Sequence, residues 1–347
     1  MKNDLISFSK KELAELMAQF DQKSYRAEQL FRAIHQNQIG SFDKITVFSK
    51  KLREELSEKY VIGNSKILKR YNSKIDETKK FLLLLSDNNI IESVLMKYKY
   101  GYSQCLSTQV GCKMGCSFCA STKGGLVRNL SSGEILNQIY LVQKNLGIKI
   151  SNIVLMGSGE PLDNYDNVLK FLKLIHDPDG QNIGYRHITL STVGIPEQIY
   201  RLAKEGLPIT LTVSLHSPFD SEREKIVPIA RKYPLNEILQ ACKYYRTKTG
   251  RRISFEYALI RDENDSEAEA TELAKILNGI MSHVNLIFLN PIREKGYEAS
   301  TEKTSKVFIS ILEKKGIEVT IRRKMGRDIQ AACGQLRNDY LNEQQDL

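Results

Sequence analysis

Apolar positions recur at helical spacing in three short runs near the start of the chain. SKKELAELMAQF (9–20), YRAEQLFRAIHQ (25–36) and SKKLREELSEKY (49–60) each follow or open on a serine or turn residue, which predicts three short helices. KILKRYNSKIDETKKFLLLLSD (66–87) and NIIESVLMKYKYG (89–101) read as a strand pair around a polar turn. From Gln104 short β-rich runs alternate with helical ones. The pairs are CLSTQV with SSGEILNQIYLVQKNLG, NIVLMGSG with NYDNVLKFLKLIHD, HITLST with PEQIYRLAKEG, and ITLTVSLH with PLNEILQACKYYRTKTG. RISFEYALI with SEAEATELAKILNG and HVNLIFLNP with TSKVFISILEKKG follow, before a last strand, IEVTIRR. Six strand-then-helix units predict a parallel sheet with crossover helices. A closed eight-unit barrel typically takes ~250 residues, so six units predict an open one. The expected organisation is α/β, with a small helical accessory domain over residues 1–90. A partial (β/α)6 barrel follows over 91–337, ending in the loop that carries Cys333, and a polar tail over 338–347 frays.

Composition adds direction to this plan. With 41% hydrophobic and 27% charged residues the 347-residue chain can bury a sizeable core. No run approaches the ~18 consecutive apolar residues of a membrane span, and the start lacks a secretory stretch, so a cytoplasmic protein is expected. Lys and Arg number 51 against 41 Asp and Glu, a net +10 that favours a polyanionic partner. Basic residues concentrate in the N-terminal segment, interleaved with Tyr25, Phe31, Tyr60 and Tyr71, and again over Lys314–Arg327.

Six cysteines are too sparse for a disulfide scaffold, yet four fall between Cys105 and Cys119. Cys112, Cys116 and Cys119 form a C-x3-C-x2-C loop placed after the first barrel strand. Three neighbouring thiolates call for a soft metal, and zinc or iron–sulfur fit. Structural zinc wants four ligands and usually two C-x2-C pairs, and no second pair exists here. A [4Fe–4S] cluster held by three cysteines leaves one iron open for a ligand.

That spacing in that position resembles the radical S-adenosylmethionine (SAM) superfamily. The resemblance implies one [4Fe–4S] cluster per chain, whose open iron chelates SAM and whose electron cleaves it to methionine and a 5′-deoxyadenosyl radical. Met156–Leu162 (MGSGEPL) looks like the superfamily's GGEP-type turn, with Gly159 allowing close approach of SAM and Glu160 accepting from its amino group. Ser191, Ser214, Leu215, His216 and Asn290 lie at later strand ends and are expected to face the C-terminal mouth with the cofactor.

Further strings, YRAEQ (25–29), IESV (91–94), CLSTQVGC (105–112) and DIQAACGQL (328–336), resemble the RlmN/Cfr family of adenosine methyltransferases over essentially the whole chain. The resemblance implies methylation of an adenine ring carbon: C2 in RlmN-like members, in 23S rRNA and in the adenosine 3′ of the anticodon of certain tRNAs, or C8 of the ribosomal adenosine in Cfr-like members. GRRISFEYALI and GSGEPLDNYDNV favour C2, while SLHSPF is closer to Cfr. The family scheme consumes two SAM per turnover. Cys333 takes a methyl group from the first, and the second supplies the radical that activates that S-methyl. Cys105 then resolves the enzyme–RNA adduct by forming a disulfide with Cys333, and Glu92 removes the ring proton. A low-potential donor of flavodoxin or ferredoxin type and a monomeric enzyme are expected with it. The QAACGQL loop is expected to rearrange easily, the N-terminal domain to grip folded RNA, and the barrel to hold the target base. Gln330 departs from the family's usual Asp. A non-catalytic RNA-binding metal protein would explain the triplet and the charge, but it leaves Cys105, Cys333 and Glu92 without a role.

Overall fold

The computed structural model describes residues 2–290 and 296–336, so the polar tail read over 338–347 lies outside the described residues. Two-residue strands β1 (Asn3–Asp4) and β2 (Tyr60–Val61) pair in parallel around helices α1 (Lys10–Gln19), α2 (Tyr25–His35) and α3 (Lys50–Lys59). Ser9 and Glu12 form a reciprocal capping box on α1, and Ser49 caps α3, as the serine-led runs predict.

The chain continues through β3 (Lys66–Asn72), β4 (Lys79–Leu84), β5 (Ile90–Tyr98) and β6 (Gly101–Cys105), then β7 (Gln109–Gly111), β8 (Leu126–Asn129), α4 (Ser132–Leu146) and β9 (Ile150–Leu155). Next come α5 (Tyr165–His176), β10 (Ile188–Thr192), α6 (Pro196–Lys204), β11 (Thr210–Ser214), α7 (Asp220–Ile226) and α8 (Leu235–Thr249). The last elements are β12 (Ile253–Leu259), α9 (Glu267–Leu277), β13 (Ser282–Phe288), α10 (Glu302–Lys314) and β14 (Glu318–Ile321). One ten-stranded sheet runs in the order β14-β13-β12-β11-β10-β9-β6-β5-β4-β3. It is parallel from β6 to β14, with a helix in each of six crossovers, and antiparallel from β3 to β6. All seven residues of β12 are buried, as a strand covered on both faces requires.

The structure departs from the sequence reading in two places. KILKRYNSKIDETKKFLLLLSD holds two strands, not one, and the resulting three-stranded meander extends the barrel sheet itself. CLSTQV is likewise split. Leu106 still donates to Val154, but the N–H groups of Thr108 and Gln109 both turn to the carbonyl of Ser158. The chain therefore leaves the sheet, and the cysteine loop follows β7, between the two strands of the small β7–β8 ribbon, instead of a barrel strand.

The N-terminal helices dock on α4 and α5. Lys10 pairs with Asp177 at 2.7 Å and Asp179 at 2.6 Å, Lys170 with Glu12 at 2.6 Å, and His35 Nδ1 with Tyr140 Oη at 2.8 Å. Gly133 N–H donates to Ser7 Oγ, and a Cβ there would meet that oxygen at 2.5 Å, so only glycine permits the approach. Among the described residues no helix is long and apolar enough to cross a membrane.

Candidate active site

At the C-terminal ends of the parallel strands lies an open cleft. Cys112, Cys116 and Cys119 line it together with Gly159, Glu160, Ser191, Ser214 and His216. The cysteine loop is held by its own backbone and by α7: Cys112 N–H donates to Gly125 O at 2.9 Å, and Ser117 N–H to Ile226 O at 2.9 Å. Thr122 Oγ1 donates to the carbonyls of Cys119 and Cys116.

Burial pushes the Cys112 thiol up to about 12 and Cys116 well above its ordinary value, and Cys119 adds to both. As thiolates the three therefore require a cationic centre, and their donor chemistry fits an iron–sulfur cluster. Among the described residues no His, Cys, Asp or Glu trio is grouped as the ligands of one ion. A cubane asks for a looser set, since each thiolate takes a different iron.

Glu160 is buried with both carboxylate oxygens engaged, Oε2 by Val193 N–H at 2.8 Å and Oε1 by Leu162 N–H at 3.0 Å. Burial, opposed by those two bonds, brings its acid up to about 7. Each oxygen keeps a lone pair for an ammonium donor in the cleft. Gly159 adopts φ +104°, and Gly157 and Gly159 press against Leu106 and Gln109 too closely for any Cβ. His216 also takes positive φ, +61°, in the turn after β11. Its Nδ1 accepts from Ala258 N–H at 3.0 Å, and burial, with Arg223 adding to it, lowers its basicity to about 3. The imidazole is therefore neutral, with its proton on Nε2.

Sequence reasoning passed over Arg223, which sits fully buried on α7. Its guanidinium donates to the carbonyls of Leu215, Val193, Tyr233 and Ser214. Val193 is thus held by Glu160 at its N–H and by Arg223 at its carbonyl. Leu215 does not line the cleft: its side chain is buried, and its backbone bonds to Glu256 and Arg223.

Cys333 lines this cleft and also a second, smaller cavity in which Cys105 lies. All six cysteines are free thiols. Cys105 belongs to a small apolar cluster with Val94, Met96, Ala331 and Leu336, and burial pushes its thiol up to about 12. Asn290 lines this second cavity rather than the cleft, its Nδ2 donating to Cys333 O at 3.4 Å. Arg322, the first residue after β14, lines both cavities. It faces Cys333 most strongly, then Glu256, then Cys105, which together raise its basicity. Behind it the buried Glu256 lies 3.6 Å away and accepts two bonds from Asn285. The sequence placed Arg322 in a basic surface run, and four residues of edge strand offer too little periodicity to separate an inward Arg from outward ones.

The Cys333 loop is tied down at several points in this state. Ala120 N–H donates to Gly334 O at 2.7 Å and Ser121 Oγ to Leu336 O at 2.9 Å, fastening it to the cysteine loop. The β3–β4 turn secures its start, with Ser73 Oγ and Lys74 N–H both donating to Asp328. Glu92 lines neither cavity. It is buried on β5 in an ion pair with Lys80 at 3.0 Å, and Lys80 also donates to the carbonyl of Gln330 at 3.3 Å, three residues before Cys333.

Comparison with known proteins matches this geometry. A family model described as the Radical SAM superfamily matches residues 106–274, and one described as the ribosomal RNA large subunit methyltransferase N-terminal domain matches residues 3–62. The crystal structure of a radical SAM methyltransferase from Sphaerobacter thermophilus superposes with a TM-score of 0.93 at 40% identity, covering 97% of this chain and 99% of that one. Together with the strand-end cleft and its three cysteines, this makes the chain a radical SAM enzyme. Curated proteins named "Probable dual-specificity RNA methyltransferase RlmN" share 52% identity in both Alkaliphilus metalliredigens, over 99% of this chain and 97% of the relative, and Clostridium novyi, over 98% and 99%. The chain belongs to the RlmN family and is a radical SAM RNA methyltransferase. The family implies a [4Fe–4S] cluster and SAM as its cofactors.

Proposed function

We propose that this enzyme methylates C2 of one adenosine in the peptidyl-transferase region of 23S rRNA and of the adenosine 3′ of the anticodon in tRNAs. The observation that carries the reading is the position of Cys333, whose side chain borders both the cysteine-lined cleft and the cavity of Cys105. A methyl group accepted on Cys333 from one side is then presentable to a base on the other. Cys112, Cys116 and Cys119 would hold one cluster per chain. Gly159, Glu160, Ser191, Ser214 and His216 would seat SAM, with Leu215 behind them fixing the strand end through its backbone bonds to Glu256 and Arg223. When bound, cluster and SAM supply an electron and a carbon-centred radical, with two SAM consumed per turnover.

The remaining work falls to the chain's own groups. Arg322 faces Cys333 from the wall the two spaces share, Asn290 fixes the Cys333 carbonyl, and Glu92 receives the proton from the ring carbon. Cys105, giving up its thiol proton, attacks the Cys333 sulfur; as the disulfide forms the S–C bond breaks, and its electron pair stays on the methylene carbon, which takes up a proton to become the methyl group. Both residues border one cavity, as a bridge with Cα atoms within ~7 Å needs. Glu92 and the base must approach each other for its step, and the tether from Lys80 to Gln330 links its ion pair to the movement of the Cys333 loop. The enzyme acts in this reading as a cytoplasmic monomer fed by a flavodoxin- or ferredoxin-type donor. Mass spectrometry of nucleosides from 23S rRNA and tRNA treated with the reconstituted enzyme is the test. 2-Methyladenosine is the expected product, and 8-methyladenosine or no methylated adenosine overturns the reading.

A further inference from the structure

Tyr98 and Tyr100 sit where the hairpin between β5 and β6 turns, and their rings stack almost parallel, centroids 5.0 Å apart and planes 5° from each other. Tyr98 lines the cavity of Cys105 and Cys333, continuing the alternation of Val94 and Met96 along one face of β5. Tyr100 is 67% exposed. The inner ring thus belongs to the cavity wall, while the outer one extends the same aromatic surface into solvent. The cavity rim is cationic. Arg323 and Lys324 line it, Arg323 acts electrostatically on both tyrosines, and Lys324 Nζ stands 4.5 Å from the Phe288 ring centroid.

A flat π-face bordered by guanidinium and ammonium groups suits one kind of partner best. Unpaired nucleotides offer base faces to stack and phosphates to the cations, and the stacking tolerates any base. A continuous duplex offers phosphates but no open base face, and an acidic peptide offers charge without a planar group.

We propose that Tyr100, backed by Tyr98, stacks the base of a nucleotide adjoining the target adenosine, with Arg323 and Lys324 on the neighbouring phosphates. The platform holds the flanking strand unstacked while the target enters the cavity. This rests on the preceding reading, in which that cavity receives the adenine.

The chain contains no tryptophan, so Tyr100→Trp in the full-length, cluster-loaded enzyme introduces a single indole emitter. The probes are a synthetic RNA hairpin carrying the peptidyl-transferase loop and the same hairpin with abasic nucleotides on both sides of the target adenosine. Strong quenching by the first and at most half of it by the second is expected. Tyr100→Ala raises the KM for the intact hairpin about tenfold with a much smaller change in kcat, and Tyr100→Phe restores it. Equal quenching by the two hairpins, or a KM for Tyr100→Ala within twofold of the parent, overturns the proposal. If the parent enzyme leaves adenosine C2 unmethylated while the quenching contrast persists, the target assignment falls and the stacking platform stands.

Discussion

Lys80 Nζ lies 3.0 Å from Glu92 Oε1, with both side chains shut away from solvent on adjacent antiparallel strands. The pair presents Glu92 as a carboxylate, the form a proton acceptor needs, and Lys80 passes its remaining reach to the Cys333 loop. Breaking a buried pair from one side is costly because a charge stays behind. Glu92→Gln is therefore expected to lose about 3–5 kcal/mol of stability in urea denaturation. The double variant Glu92→Gln/Lys80→Met recovers most of that stability. In the proposed scheme it is expected still to load a methyl group on Cys333 but not to methylate RNA. Normal RNA methylation by the double variant sinks the role of Glu92.

Among the described residues, Arg322 is the one cation that borders both the cleft and the Cys105 cavity. An electrostatic contact from its guanidinium, anchored behind by Glu256, holds Cys333 at the wall the two spaces share. Arg322→Gln is expected to slow methyl loading of Cys333 roughly tenfold, equivalent to ~1.4 kcal/mol of barrier. Arg322→Lys retains most of the rate. Mass spectrometry of the peptide carrying Cys333, sampled over time with SAM and no RNA, gives the measurement. An unchanged rate in Arg322→Gln removes the electrostatic role.

The contrast between what the sequence disclosed and what it withheld follows from the range of the interactions. The six β/α units were legible because each repeats a local period, and the cysteine trio because its spacing lies within eight residues. Joining β3, β4 and β5 to the same sheet depends on β6 pairing with β5 on one side and β9 on the other, which no local pattern specifies. Arg223 and Lys80 were silent for a related reason. A buried arginine satisfied by four backbone carbonyls has no sequence partner to pair it with, and Lys80 meets Glu92 only through strand register. Asn290 and Leu215 were read as facing the cofactor from their strand-end positions. The side chain of one instead serves the Cys333 loop, and the other is buried with its backbone bonded to Glu256 and Arg223.

Gly157 and Gly159 form the turn after β9 by packing against the segment that leaves β6. A Cβ on Gly157 would stand 2.6 Å from Leu106 O, and one on Gly159 would stand 2.5 Å from Gln109 Cβ at a φ of +104°. Neither contact yields by rotating a side chain's far end. Gly157→Ala and Gly159→Ala are each expected to cost about 1–3 kcal/mol of stability. Both displace Glu160, whose own N–H donates to Gln109 Oε1. SAM affinity measured calorimetrically on the reconstituted protein should fall at least tenfold in Gly159→Ala, and wild-type affinity there separates the turn from the cofactor seat.

His35 joins the N-terminal helices to the barrel and is buried against Tyr140. Burial lowers its pKa from 6.5 to about 4. Between those values the unfolded chain binds a proton at this position and the folded chain does not, so stability rises with pH across the window. The contribution is whole above pH 6.5 and shrinks as the pH falls toward 4. A difference of that size amounts to ~3 kcal/mol between the two ends. His35→Phe loses the bond to Tyr140 at every pH but also loses the titration. Its urea midpoint, followed from pH 7.5 to 4.5, should therefore decline less steeply than that of the parent. His216, also depressed by burial, titrates in both proteins and cancels in the comparison. Parallel curves for the two proteins would show that His35 takes up its proton without opening the contact between the helices and the barrel.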